Sequence, residues 1–366
     1  MNTKLVLPLL AAALFSCDGL QGTKEASAPS VAASKSACSA SERRCYSVEE
    51  LGPVSDTGPE DTSLGVNSWG VVVGTTTRWS TDPDPRRAFV FKRGEVAPLG
   101  DLGGGVSSAR AVNEWGYAVG GSLDSEGHYR ATSYFGGAVA DLGSLDGGNS
   151  WSWSVNNFGY AAGNGYISGV SHAAGFFHGK AFDLGSIGGD TYANGVNDLF
   201  EVVGTGKLAD GTWSGFVRRK GELVTLEKLG IPAPSTGRAI NNRGTVCASS
   251  YDPNAYLRQS FLLHRDGSVV NLPELGYPYT FCLDVSDAGV AVGAAEDGVT
   301  GWRAVAWFDP SATPVDLNAR VVPAMPDVQL YMASSIAPSG KIAVYGYSFT
   351  KNEIGGYLLS PAACPR

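Results

Sequence analysis

The sequence predicts an all-β protein that folds as a single seven-bladed β-propeller, with four antiparallel strands in each blade. Three observations support this prediction: a short phrase recurs about every 45 residues, each period holds four β-rich runs, and one run near the N terminus replaces a run missing from the last period. A repeat of this length also fits a two-helix solenoid unit. No stretch of ten residues has helical periodicity, however, so the propeller is favoured.

The recurring phrase has the core Val/Ile-Asn-x-x-Gly, as in "AVNEWGYAVGG" from Ala111 to Gly121. Between two strands this core is typical of a hairpin turn, in which Asn bonds the backbone ahead and Gly adopts a left-handed conformation. Small residues precede the core by four positions, as strands converging on an axis require. We therefore interpret the phrase as scaffold. The cores lie at Asn67, Asn113, Asn156, Asn197, Asn241 and, in weaker form, Ser286 and Ala337; the small residues are Ser63, Ala109, Ser152, Ala193, Gly237, Cys282 and Ala333.

The N-terminal strand is expected to close the ring. The run "YSVEELG", at about 46–52, aligns with fourth strands such as "VTLEKLG" at 224–230, whereas the chain nearly ends after the third strand of the last repeat. Pairing the two ends in one blade would remove two exposed sheet edges.

The cysteines provide two candidate disulfides. Cys45 and Cys364 flank the strands that close the ring and are the first predicted pair, with Cys38 as the alternative partner of Cys364. Cys247 and Cys282 fall in neighbouring blades, and the sequence leaves open whether they pair. Disulfides are expected in a protein exported to an oxidising compartment.

The first residues predict export. A basic start and the short apolar run "LVLPLLAAALF" form a signal peptide at 1–16, and "LFSC" resembles the lipobox of bacterial lipoproteins, which would place a lipid on Cys17. Ordinary secretion is the alternative, because Phe15 is bulkier than a lipobox usually has. Residues 17–44 are Ala/Ser-rich and predict a flexible tether, followed by the propeller at 45–366. We expect a lipid-anchored protein of the bacterial cell envelope, on a membrane and side that the sequence does not specify.

The net charge of −8 disfavours nucleic acid as a partner. The sequence offers no segment after the signal peptide that could span a bilayer, so the lipid is the only membrane contact that it predicts. The expected partners are a glycan or an envelope or extracellular protein, bound by a monomer.

The stretch "DLGSLDGGNSWSWSVNNFGYAAGNGYISGVSHAAGFF", Asp141 to Phe177, resembles the bacterial extracellular repeats of the HAF family. The resemblance covers about 51–360, is strongest in the first four repeats, and weakens to a hydrophobic pattern in the last two. The His-Ala-Phe tripeptide is altered, for example to "RAF" at Arg87. The resemblance implies an exported repeat protein of propeller type and brings no catalytic residues.

No familiar catalytic motif occurs in the chain, which has no G-x-S-x-G, HExxH or Walker sequence. The expectation is therefore that the protein is not an enzyme and needs no cofactor. Two acidic loops, at 80–87 and 123–127, are weak candidates for Ca²⁺, because neither has the alternating ligand spacing of a calcium loop.

Candidate ligand contacts lie on the face that carries the long, dissimilar loops between second and third strands. The residues just before the third strands recur with the repeat and include planar aromatic and guanidinium groups, which stack on sugars or clamp peptides. Packing between blades is the alternative role. The candidates are Arg86, Tyr129, His172, Trp213, Arg258 and Trp302, together with Trp79.

The function predicted from these features is a binding module for glycan or protein ligands. The alternative is a carbohydrate-active enzyme, a polysaccharide lyase or glycosidase that uses loop carboxylates, which would require two carboxyl groups about 5–10 Å apart. A purely structural spacer is a third interpretation. The candidate carboxylates are Asp82, Asp84, Asp124, Glu126 and Glu296.

Overall fold

Each repeat folds into a four-stranded antiparallel sheet, and seven such sheets form the propeller, as predicted. The computed structural model describes residues 44–54, 64–76, 86–252, 254–255 and 257–365. In these ranges it contains 28 strands and two single-turn 3-10 helices, Leu226–Leu229 and Leu317–Arg320. None of its helices is long and apolar enough to cross a bilayer.

The strands are, in chain order, β1 (Arg44–Pro53), β2 (Gly65–Val66), β3 (Val72–Thr76), β4 (Arg87–Lys92), β5 (Glu95–Pro98), β6 (Gly103–Val112), β7 (Ala118–Asp124), β8 (Tyr129–Phe135), β9 (Ala138–Asp141), β10 (Ser150–Val155), β11 (Ala161–Ile167), β12 (Val170–Phe177), β13 (Lys180–Gly185), β14 (Thr191–Val196), β15 (Val202–Lys207), β16 (Trp213–Arg219), β17 (Glu222–Thr225), β18 (Ser235–Ile240), β19 (Val246–Asp252), β20 (Leu257–Leu263), β21 (Val269–Leu272), β22 (Thr280–Val285), β23 (Ala291–Glu296), β24 (Trp302–Trp307), β25 (Val315–Asp316), β26 (Val328–Ile336), β27 (Ile342–Ser348) and β28 (Glu353–Ala363).

Blades 1 to 6 each contain four consecutive strands from β2 to β25, and blade 7 has the order β1-β28-β27-β26. The N-terminal strand therefore completes the last blade, as predicted. Because the strands are antiparallel, the first-to-second and third-to-fourth turns share one face of the propeller, which we call the turn face. The second-to-third loops and the connections between blades lie on the opposite face, which we call the loop face.

Two disulfides join parts of the ring. Cys45 and Cys364 are paired, with their Cα atoms 5.1 Å apart, beside the β1–β28 contact. Cys247 and Cys282 are also paired, with a Cα separation of 5.8 Å, and link blades 5 and 6. The first pairing confirms the prediction, and the second settles a question that the sequence left open. Both are consistent with an exported protein. Cys38 lies outside the described residues.

The Asn-x-x-Gly cores form the predicted hairpin turns. In blade 3, Asn156 Oδ1 accepts hydrogen bonds from the backbone N–H groups of Phe158 and Tyr160, each at 3.0 Å, and Gly159 has φ of +79°. Blade 4 departs from this pattern, because Phe200 occupies the glycine position with φ of +59°. The side-chain carbonyl of the asparagine thus organises its own turn.

The amide nitrogen of the same asparagine has a second role that the sequence did not predict. Nδ2 of Asn156 donates to the backbone carbonyl of Asn197 in the next blade, at 3.1 Å. Four equivalent bonds of 2.8–3.1 Å join blades 1 and 2, 2 and 3, 4 and 5, and 5 and 6. In the last of these the acceptor is the backbone carbonyl of Ser286. These five side chains are at most 6% exposed. We call them the asparagine belt: Asn67, Asn113, Asn156, Asn197 and Asn241.

The seam between blades 7 and 1 uses serine where the belt is absent. Ser334 Oγ accepts from the Leu64 N–H at 2.8 Å, and Ser335 Oγ donates to the Leu64 carbonyl at 2.6 Å. On the turn face, the Ser339 N–H donates to Ser68 Oγ at 3.2 Å. Polar contacts therefore continue around the described inner ring.

The small residues before the turns are buried at the six positions that the structure describes, as an inner column must be; Ser63 lies outside the described residues. Ala109, Ala193 and Ala333 have no exposed surface, and a Cβ on Gly237 would lie 2.3 Å from Val203 Cγ2. Larger side chains such as Trp307 fill the space farther out, where apolar clusters join neighbouring blades. The taper of side-chain size follows from the convergence of the blades.

Replacing a belt residue is expected to destabilise the propeller. Asn156→Ala removes two accepted hydrogen bonds and one donated bond from a buried site, so the free energy of unfolding should fall by about 2–4 kcal/mol. Denaturant unfolding measures this loss. Asn254→Ala, at an exposed loop position, is the control. Equal midpoints for the two variants would show that the belt contributes nothing.

Removing the ring-closing disulfide is expected to weaken the contact between the chain ends. A Cys45→Ser/Cys364→Ser variant should lose about 2–5 kcal/mol of stability, because the bond closes a long loop. Thermal unfolding of wild type and variant under non-reducing conditions tests this. An unchanged midpoint would mean that the nine residue pairs between β1 and β28 suffice to hold the blade.

Candidate functional site

In blades 2 to 7, a β-bulge in the innermost strand places one residue at the central axis. In blades 2 to 7 the strand register shifts around a single residue, three positions before the asparagine or its equivalent. Bulges re-aim side chains in this way. Leu64 holds the same position in blade 1. All seven residues line one central cavity: Leu64, Arg110, Trp153, Asn194, Arg238, Leu283 and Ser334.

The cavity has a volume of about 770 Å³, within the range of sites that bind small ligands. It extends from the axis towards the loop face between blades 4 and 5. There its lining includes Tyr192, Trp213, Tyr251 and Arg258. Trp213 is 38% exposed, stacks on Tyr192 with ring centroids 6.2 Å apart, and contacts the Lys207 ammonium at 5.1 Å. Aromatic faces are therefore available beside polar groups.

The charged lining of the cavity is predominantly positive. Among the described residues, it consists of three guanidinium groups, on Arg110, Arg238 and Arg258, and one carboxyl group, on Asp284. The chain as a whole carries a net charge of −8. A concave site of the opposite sign concentrates the field and favours an anionic ligand.

Two of the guanidinium groups lie against aromatic rings. Arg110 Cζ is 4.5 Å from the centroid of the Trp153 ring, whose Nε1 donates to Asn164 Oδ1 at 2.8 Å. Arg258 Cζ is 4.0 Å from the Phe281 ring centroid. Such contacts fix the plane of a guanidinium group, which can then bind a carboxylate through two parallel hydrogen bonds.

Asp284 is the only carboxyl group among the described residues that line the cavity. Its Oδ2 accepts from the Ile336 N–H of blade 7 at 2.9 Å, and its Oδ1 accepts from the Val285 N–H at 2.8 Å. The surrounding protein desolvates the carboxylate and raises the pKa of Asp284 to about 6, although these bonds oppose the shift. A carboxyl group with this pKa can accept and return a proton near neutral pH.

The contact made by Asp284 also occurs in a simpler form. Ser154 occupies the same position in blade 3, and its Oγ accepts from the Val196 N–H of blade 4 at 3.2 Å. Asp284 therefore joins two blades and also places an ionisable group in the cavity. The equivalent positions in the other blades carry small, uncharged residues: Gly65, Ala111, Gly195, Ala239 and Ser335.

The residues predicted before the third strands do not converge on one site. Arg86 donates to the Tyr129 hydroxyl at 2.9 Å, Tyr129 stacks on Trp151 of the next blade, and His172 lies 3.1 Å from Asp183.

Trp302 packs against Tyr279 and Phe281 at ring-centroid distances of 5.4 and 5.3 Å. Of the described candidates, only Trp213 and Arg258 line the cavity. Trp79 lies outside the described residues, and ligand contact by the set stays a prediction.

The described carboxylates of the alternative enzyme hypothesis, Asp124, Glu126 and Glu296, do not line the cavity. The hydrogen bond from Arg130 lowers the pKa of Asp124 to about 2, which commits that group to a loop contact. Glu126 is exposed, and neither it nor Glu296 lines the cavity. Asp82 and Asp84 lie outside the described residues.

The set of seven cavity-lining residues, one from each blade, and Asp284 were not among the site residues predicted from the sequence. A signal was present, because the column three residues before each Asn-x-x-Gly core holds unlike side chains beside a column of small ones. The direction in which these side chains point depends on the β-bulge, which the sequence does not show.

No protein-family model matches the chain, and no curated protein matches its sequence. Among solved structures, the chain is similar to an oligogalacturonate lyase in complex with manganese, with 8% identity, a TM-score of 0.51, and coverage of 87% of this chain and 97% of that chain.

The chain is also similar to a gluconolactonase from Xanthomonas campestris, with 11% identity, a TM-score of 0.44, and coverage of 88% and 93% of the two chains. For TolB from Acinetobacter baumannii the values are 10%, 0.43, 87% and 96%. At these identities the similarity shows the propeller fold alone.

The expectation that the protein is not an enzyme is corrected by this finding. It rested on missing catalytic motifs, yet the solved propellers that the chain is similar to include an oligogalacturonate lyase. Their fold is compatible with catalysis, so the absence of familiar motifs did not justify the exclusion. Reaction and substrate must be argued from the site.

The manganese of the lyase structure has no evident counterpart. Within the described parts of the chain, no group of three or more His, Cys, Asp or Glu side chains is arranged to hold a metal ion.

The raised pKa of Asp284 predicts a pH-dependent contribution to stability. The folded pKa of about 6 lies above the unfolded value near 3.8, so this contribution is greatest below the unfolded pKa and is lost as pH rises through about 6. The free energy of unfolding of Asp284→Asn minus that of wild type should therefore be larger at pH 7.5 than at pH 4, by up to about 3 kcal/mol. Denaturant unfolding of both proteins at the two pH values measures the difference. An equal difference at both would contradict the shift.

Proposed function

We propose that the protein is an exported, lipid-anchored enzyme that cleaves an anionic, uronate-containing glycan by β-elimination in the central cavity. The observation that supports this function is the part of the cavity lining that the structure describes: three guanidinium groups, aromatic faces and one carboxyl group, of pKa about 6, in an acidic protein. The anchor at Cys17 and the relation to HAF repeats belong to the proposal as sequence predictions.

The lining provides the groups that this elimination needs. Arginines would hold the substrate carboxylate and stabilise negative charge that develops when the adjacent C5 loses its proton. Ionised Asp284 would take that proton. The C4–O bond then breaks as a C4=C5 double bond forms, and the proton passes to the leaving oxygen, which restores the carboxylate. The aromatic side chains at the mouth would contact the sugar rings.

A glycosidase is less well supported by the same site. Glycoside hydrolysis generally uses two carboxyl groups that flank the bond, and the described residues of the cavity lining contain one. One solved structure to which this chain is similar, with a TM-score of 0.51, is an oligogalacturonate lyase. That description is compatible with the proposal, whose argument depends on the residues of this cavity.

Incubation of the full chain with oligogalacturonate and other polyuronates tests the proposal. The expected products carry an unsaturated uronate at the new non-reducing end, seen by ultraviolet absorbance and mass spectrometry. Arg238→Met and Asp284→Asn should each lower the rate by about 100-fold or more. Arg243→Met, on the exposed turn face, is the matched control and should retain the rate.

The outcomes separate the interpretations. New reducing ends without unsaturation would identify a hydrolase and contradict the lyase mechanism. Unchanged turnover in Asp284→Asn would remove Asp284 from the reaction. If the protein neither cleaves nor binds any of the polyuronates, the proposed substrate class is refuted.

A further inference from the structure

Four consecutive blades expose large apolar side chains on the turn face. They occupy the second position after the belt asparagine, where Trp69 is 79%, Trp115 75%, Phe158 62% and Leu199 55% exposed. Phe200 is 47% exposed beside them and stacks on Phe158 with ring centroids 5.7 Å apart. We call these five residues the apolar arc.

The turn itself does not require apolar residues there. The equivalent positions of blades 5, 6 and 7 carry Arg243, Ala288 and Ser339, within turns of the same hydrogen-bond pattern. The belt bonds hold successive turns side by side, so the arc is a continuous surface. Exposed apolar surface of this extent on one face marks a site of interaction.

The chain enters the propeller on the same face. Arg44 pairs with Ala363, where β28 reaches the turn face, and the Cys45–Cys364 disulfide lies beside this pair. The predicted lipid attachment site, Cys17, lies 27 residues before Arg44. A flexible chain of this length has an end-to-end distance on the order of 25–30 Å. The anchor would therefore keep the turn face close to the bilayer.

We propose that the turn face docks on the lipid bilayer, with the apolar arc in the interfacial layer. Tryptophan and phenylalanine are suited to this layer, and tryptophan is enriched there because its ring is apolar and its N–H is polar. The loop face, towards which the cavity extends, then points away from the membrane. Docking adds a protein contact to the lipid anchor and goes beyond the proposed catalytic function.

The charges around the arc have a small positive excess. The outer hairpins of blades 1 to 4 expose four cations, Lys92, Arg93, Lys180 and Lys220, and two anions, Glu95 and Glu222. Apolar contact is expected to be the main source of binding, and anionic lipid should increase the affinity modestly.

Vesicle binding by the unlipidated mature chain tests the proposal. The protein, residues 17–366 with Cys17→Ser, is exported behind a cleavable leader, so that only the protein surface can bind. Vesicles are made of phosphatidylcholine alone or of phosphatidylethanolamine and phosphatidylglycerol in equal parts. Sedimentation measures partitioning, and brominated lipids report contact by quenching tryptophan fluorescence.

A Trp69→Ser/Trp115→Ser variant should partition at least about tenfold more weakly than wild type on both vesicles and lose most of the quenching. The control is Val299→Ser/Phe349→Ser, which removes apolar residues that are 89% and 59% exposed on the loop face. It should bind as wild type does. Circular dichroism and thermal unfolding confirm that both variants are folded.

Three results would overturn the proposal. They are no vesicle binding by wild type, equal binding by the arc variant, and equal losses in both variants. Self-association that disappears in the arc variant, without vesicle binding, would assign the arc to a contact between two copies of the chain.

Discussion

The structure depends on a hydrogen bond that crosses from blade to blade. Each blade of a propeller satisfies most of its backbone within its own sheet, and apolar packing between blades has little directionality. The belt asparagines add a directional link close to the axis. One side-chain amide uses its oxygen to organise the turn and its nitrogen to bind the next blade. The repeat therefore fixes both the shape of a blade and its contact with its neighbour.

The same turn places the two surfaces to which we assign functions. Three residues before the asparagine, the bulge directs a side chain into the central cavity; two residues after it, the chain is exposed on the turn face. The side chains at these two positions take no part in the hydrogen bonds of the belt asparagines. Side chains there can differ between blades without loss of the scaffold, which explains why Arg110, Trp153 and Asn194 occupy equivalent positions.

Asp284 illustrates how a side chain that makes a structural contact can also provide an ionisable group. Its carboxylate makes the contact between blades that Ser154 makes with a hydroxyl. A serine hydroxyl at this position is neutral, whereas ionisation of an aspartate places a negative charge within an enclosed cavity. The desolvation that raises its pKa comes from the assembled ring rather than from nearby residues in the chain.

The sequence by itself determined the number of blades, their strands, the turn chemistry and the closure by the N-terminal strand, and it put Cys45–Cys364 first, ahead of Cys38, among the possible pairs. These features repeat along the chain or follow from which ends must meet, so pattern and spacing are sufficient. Only the tertiary structure decided where the side chains converge. The bulge at Arg238 depends on the register with the partner strand, the Cys247–Cys282 pair depends on the approach of two blades, and Arg86 and Trp302 pack against neighbours away from the cavity. Seven separate repeats build the cavity and its charge, so no local stretch of sequence contains that information.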